Sequence, residues 1–169
     1  MPRDSRLSRM LHLLIHMDRH VHRATSETLA KMLDTNPVVV RRMMAGLRDL
    51  GLVTSEKGHG GGWELARPLD AITLWDVYEA VGSPALFNIG PNADQPDCLV
   101  EQSVDARLGN ALTEAEALLR ARFQSVRLSD IAADFETRFA DLKARGQIGS
   151  HVRWDPNPHG SADEQEPKP

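Results

Sequence analysis

Three amphipathic helical patterns in direct succession, followed at once by a strand, a glycine-rich turn and a second strand, constrain this chain more than any other feature. The first pattern places Leu7, Met10, Leu11, Leu14 and Met17 at helical spacing, with Asp4 or Ser5 as N-cap. The second begins at Thr25 or Ser26 and turns Leu29, Met32 and Leu33 inward. The third starts sharply at Asn36-Pro37, because asparagine caps a helix and proline lacks the N–H that would go unsatisfied at the first helical position. Its inner face is Val40, Met43, Met44, Leu47 and Leu50, and Gly51 suits the left-handed residue that follows a helix. Residues 52–56, 57–62 and 63–66 then read as strand, turn and strand. This order predicts a winged helix-turn-helix, mainly α with a small β-hairpin wing, whose third helix is sized for the DNA major groove.

Downstream, Thr73 and Asp76 form a capping box for a fourth helix that buries Leu74, Val77, Tyr78 and Val81. Residues 82–97 carry Gly82, Pro84, Gly90, Pro91 and Pro96 and read as a loop, with Leu86, Phe87 and Ile89 expected to pack down. From Val104 an apolar stripe runs through Leu108, Ala111, Leu112, Ala115, Leu118, Leu119, Phe123 and Val126. A helix of that length exceeds what one small winged domain needs. The stripe is therefore expected at a homodimer seam, with Val104, Leu108, Leu112, Ala115, Leu119 and Phe123 as interface residues; packing on its own domain is the plainer alternative. A last helix over 129–145, with Ile131, Phe135, Phe139 and Leu142, is expected to brace the dimer, and the chain from His151 is expected to be disordered. The resulting division is 1–81 for the DNA-binding domain, 82–103 for a sensor or linker loop, 104–147 for dimerisation and C-terminal helices, and 148–169 for the tail.

The net charge of −4 conceals a division along the chain. Residues 1–67 hold 11 Lys and Arg against 7 Asp and Glu, a net +4, whereas 68–169 hold 9 against 17, a net −8. A basic half attracts phosphate and an acidic half turns away from it. The single cysteine, Cys98, excludes an intrachain disulfide, and no stretch approaches the ~20 apolar residues that span a bilayer, so the expected location is the cytoplasm without membrane attachment. No Gly-x-x-x-x-Gly-Lys-Ser/Thr loop, Gly-x-Ser-x-Gly elbow or metal-ligand cluster occurs, and Trp63 stands where a dinucleotide fingerprint needs its last glycine; the chain does not read as an enzyme.

The expected DNA contacts follow from position. Val38, Arg41, Arg42 and Arg48 lie on the outer face of the third helix, where arginine can read guanine bidentately and valine can touch a thymine methyl. Asn36 opens that helix. Thr25 and Ser26 start the second helix, where backbone N–H groups attract phosphate, although simple capping explains them equally. Lys57, His59 and Gly60 form the wing tip, which approaches phosphate and the minor groove.

The segments Leu29-Ala30, Asn36-Pro37-Val38-Val39-Val40-Arg41-Arg42, Gly51-Leu52-Val53, Lys57-Gly58-His59-Gly60-Gly61-Gly62-Trp63-Glu64-Leu65-Ala66 and Ile72-Thr73-Leu74-Trp75-Asp76-Val77 together resemble the Rrf2 family of bacterial winged helix-turn-helix transcription regulators. The resemblance covers residues 5 to about 130. It implies a homodimer on a near-palindromic operator of double-stranded DNA, with long helices crossing between subunits. Cluster-bearing relatives place three cysteines in and just after the loop before the long helix, whereas this chain has only Cys98; no iron–sulfur cofactor and no metal site are therefore expected. His12 and His16, one helical turn apart, could supply ligands to a partner chain but read more simply as surface residues. Clusterless members suggest that Cys98 is a redox-sensitive thiol that modulates operator binding; a small buried apolar residue is the other reading. Beside this repressor reading stand two alternatives, a regulator sensing a small hydrophobic ligand at Leu86, Phe87 and Ile89, and a winged-helix module that binds protein.

Overall fold

The computed structural model describes residues 4–20, 23–58, 61–90 and 97–147. The expected tail, and His59 and Gly60 at the wing tip, lie outside the described residues. The elements run α1 (Arg6–His20), α2 (Ser26–Met32), α3 (Pro37–Asp49), β1 (Val53–Glu56), β2 (Gly62–Leu65), a 3₁₀ turn (Leu69–Ala71), α4 (Leu74–Ala80), α5 (Leu99–Ser125) and α6 (Leu128–Ala144).

Local chemistry sets most of these boundaries. The Asn36 side chain accepts from the Val38 N–H at 2.8 Å and Pro37 is the first residue of α3. At the other end Gly51 takes φ +65°, its N–H reaches the Arg48 carbonyl at 2.8 Å, and the Leu52 N–H reaches Leu47 at 2.9 Å. This paired closure is the Schellman motif. Asp34 closes α2 the same way at φ +49°, an unusual conformation for a residue other than glycine. The expected capping box of α4 is present: the Thr73 hydroxyl accepts from the Asp76 N–H, and the Asp76 carboxylate accepts from the Thr73 N–H at 2.7 Å.

The core is formed by Met10, Leu13, Leu14 and Met17 of α1, Leu29 and Ala30 of α2, Val40, Met44 and Leu47 of α3, Leu52, Val53 and Trp63 from the hairpin, and Leu69, Ile72 and Val77 beyond it. Leu50, expected inside, is exposed, because Gly51 reverses the chain before its side chain can follow the buried face. β1 and β2 pair antiparallel with Val53 opposite Leu65 and Glu56 opposite Gly62. An unexpected third element joins them: Ala24, between α1 and α2, exchanges two backbone hydrogen bonds with Trp63, at 3.0 and 2.8 Å.

α5 starts at Leu99, five residues before the expected stripe, with Cys98 as its N-cap residue. Its 27 residues extend about 40 Å at 1.5 Å per residue, and none of them is buried. Its C-terminal half packs on α4, where Phe123 meets Tyr78 edge to face at 5.9 Å and the Arg120 guanidinium lies 4.7 Å over Trp75. Here the helix covers its own domain, the alternative stated above for Phe123. α6 folds back on its own chain. Leu128 and Ala132 enter the winged core, the Leu128 N–H donates to the Ile72 carbonyl at 2.9 Å, and Arg19 of α1 pairs with Glu136.

Candidate nucleic-acid interface

α2 and α3 pack as consecutive helices, leaving one side of α3 open to solvent. On that side Val38 is 64% exposed in the first turn, and Arg41 and Arg42 are exposed in the second. Arg41 donates to the Glu27 carboxylate at 2.5 Å, tying the middle of α3 to the first turn of α2. Glu27 was not anticipated. Its own backbone N–H and then Arg41 hold its carboxyl below the usual glutamate range. Arg48, further along α3, pairs with its neighbour Asp49 at 3.1 Å.

The start of α2 separates two residues that sequence placed together. Thr25 is exposed and caps the helix, its hydroxyl accepting from the Thr28 N–H at 3.2 Å. Ser26 is buried, and its Oγ accepts from the Trp63 indole N–H at 3.0 Å. That oxygen satisfies the only side-chain donor of a buried tryptophan, so a phosphate at this helix start would meet backbone N–H groups rather than the Ser26 hydroxyl. Asn36 likewise uses its side-chain oxygen as a cap, at the exposed entrance to α3.

The wing base is attached to this helix pair by the Ala24–Trp63 backbone bonds and by the Trp63–Ser26 bond. Arg23 adds ion pairs to Glu56 at 2.5 Å and Glu64 at 2.9 Å, one from each strand. These long-range contacts escape sequence reading because nothing local marks a residue 30 or 40 positions away as a partner. Gly61 and Gly62 also have a packing cause. A Cβ on Gly62 would stand 2.8 Å from the Ala24 carbonyl oxygen, and one on Gly61 would overlap the Glu56 carbonyl. Lys57 is exposed immediately after β1, leading into the tip.

Away from this face, Cys98 is half-buried at the start of α5. Of the three residues expected at a ligand pocket, Leu86 borders a cleft of about 440 Å³ between α4 and α5, and Ile89 is 66% exposed. The more apolar recess lies elsewhere, between α1 and α6. On α5, Val104 is 55% exposed, while Leu108, Leu112, Ala115 and Leu119 are half-buried. No helix among the described residues is long and apolar enough to cross a membrane.

A family model described as Rrf2, iron-dependent transcriptional regulator, matches residues 3–134. The chain is 33% identical over 131 residues to Bacillus subtilis (strain 168) YwnA, which bears the name of an HTH-type transcriptional regulator; the match covers 76% of this chain and 95% of YwnA. Its fold is similar to that of a transcriptional regulator from Lactobacillus plantarum, with a TM-score of 0.66 and 24% identity over 87% of this chain and 100% of the other. T. potens IscR shares the fold at a TM-score of 0.55 and 20% identity, over 82% and 90% of the two chains. Among the described residues, the iron in the family description finds no matching donor set. Cys98 is the one thiol of the sequence, and among the described residues no three His, Cys, Asp or Glu side chains gather as metal ligands, whereas an iron–sulfur cluster takes several thiolates, or thiolates with histidines. The matched span, the helix-turn-helix face and the attached wing make this chain a DNA-binding transcription regulator of the Rrf2 family.

Proposed function

We propose that the chain acts in the cytoplasm as a homodimeric repressor, laying α3 in the major groove of each half of a near-palindromic operator while the wing grips the adjacent backbone and minor groove. The carrying observation is the open face of Val38, Arg41 and Arg42, held in register with the wing through Trp63. A dimer that covers a promoter-embedded operator excludes other proteins from it, hence repression. Pairing through α5 is supported by its length and by Val104, Ala111 and Leu118, which lie two turns apart on one exposed face. Control is assigned to Cys98 rather than to a cluster, its half-buried place at the foot of α5 being where modification would bear on the pairing helix.

The test begins with capture of genomic fragments by the purified protein, followed by anisotropy titration of the recovered operator. Binding is expected to weaken steeply with salt. The Arg41→Glu/Arg42→Glu variant is expected to lose at least about a hundredfold in affinity, since each bidentate base contact is worth about 1–3 kcal/mol. Affinity indifferent to salt and to both reversals would overturn the reading and favour a protein-binding module. Thiol oxidation is expected to change operator affinity in the wild type and not in Cys98→Ser; equal responses would remove the redox element alone.

A further inference from the structure

The outer side of α1 carries a side-chain pair that the DNA-reading face does not use. His12 and His16 stand one helical turn apart, with ring centroids 4.5 Å from each other and their Nε2 atoms 2.7 Å apart. His12 is exposed and His16 half-buried, so the point on which the two nitrogens converge is open to solvent. Both border a groove of about 480 Å³ between α1 and α6, lined by Leu11, Ile15, Ile131 and Phe135.

We propose that His12 and His16 form a two-imidazole chelate for an exchangeable divalent transition ion, Zn²⁺ or Ni²⁺, on the outer face of α1. Two histidines four residues apart on one helix are the spacing by which helix-borne zinc sites present Nε2 lone pairs to a common ion. In the pair as it stands, one ring donates an Nε2–H to the other. Binding needs that proton at Nδ1 instead, a change of tautomer that leaves both rings neutral. Zn–N bonds of about 2.0–2.1 Å in tetrahedral geometry separate the nitrogens by about 3.3 Å, so the rings open by only about half an ångström. The nearby positive charge of Arg19 is balanced by its ion pair with Glu136. Imidazole donors favour Zn²⁺, Ni²⁺ and Cu²⁺ over Mg²⁺ and Ca²⁺. With two protein ligands, water completes the shell and the ion exchanges, unlike a structural zinc closed by four.

Isothermal titration of Zn²⁺ and of Ni²⁺ into the full chain tests this, with Mg²⁺ as the control ion. One ion per chain is expected, with at least about a tenfold loss of affinity in His12→Ala and in His16→Ala and none in His20→Ala/His22→Ala. His12 is exposed, so its replacement leaves the fold intact, and a thermal melt by circular dichroism checks this. Nitrogen-15 spectra of the wild type are expected to show both rings as Nδ1–H tautomers once Zn²⁺ is added. No uptake of either ion by the wild type, or uptake by His12→Ala as tight as the wild type's, overturns the proposal. So does binding that the His20/His22 variant removes and His12→Ala retains, because the ion then sits elsewhere.

Discussion

The Ser26 hydroxyl shows how a single side chain is diverted from the surface to the interior. Its neighbours Thr25 and Glu27 are exposed, and any residue at the start of a helix near DNA is a candidate phosphate contact. Only the arrival of Trp63 from the hairpin, 37 residues away, gives that oxygen its partner. Ser26→Ala is therefore expected to cost about 1–3 kcal/mol of stability in urea unfolding, the penalty of leaving a buried indole N–H unsatisfied. A variant as stable as the wild type but weaker on DNA would instead give the Ser26 hydroxyl a direct part in phosphate contact. Arg41 illustrates the converse. Its exposure and its place in the second turn of α3 are legible from helical spacing, whereas its bond to Glu27 depends on how α2 and α3 cross.

Among the elements, helix ends are where local sequence speaks most plainly. Asn36-Pro37, Thr73 with Asp76, and Gly51 each satisfy backbone groups within a few residues of themselves, so their signals need no tertiary partner. The start of α5 lacks such a signal: Cys98 caps it without a side-chain bond, and the expected start fell five residues late. Gly46 is another case in which the neighbouring element decides. A glycine inside a helix is ordinarily a cost, but here a Cβ would overlap the Ala80 carbonyl oxygen at the end of α4. Gly46→Ala, which raises helix propensity, is accordingly expected to lower stability by about 1–3 kcal/mol through overpacking, read as a lower melting temperature. A higher melting temperature would show that α3 and α4 separate without penalty.

At the scale of the molecule, the charge division between a basic N-terminal part and an acidic C-terminal part favours approach to DNA through the winged domain, and α5 leaves apolar side chains in water. Leu118 is 74% exposed, and Val104 shares its face. Exposed faces of this kind on a long helix ordinarily find a partner. Val104→Glu/Leu118→Glu is expected to convert a dimer into a monomer by sedimentation equilibrium while leaving the melting of the winged domain unchanged, since neither side chain enters its core. A wild-type chain that sediments as a monomer would refute the dimer. Sequence by itself determined the helix-turn-helix order, the wing, the exposed arginines and the lack of thiols for a cluster, because periodicity, capping and composition act over a few residues or none. Tertiary structure alone decided that Ala24 extends the wing, that Ser26 turns inward, that Phe123 rests on Tyr78 and that α6 returns to the core. Each of these joins residues far apart in the chain, and such partners are chosen by packing of whole elements, which no local pattern encodes.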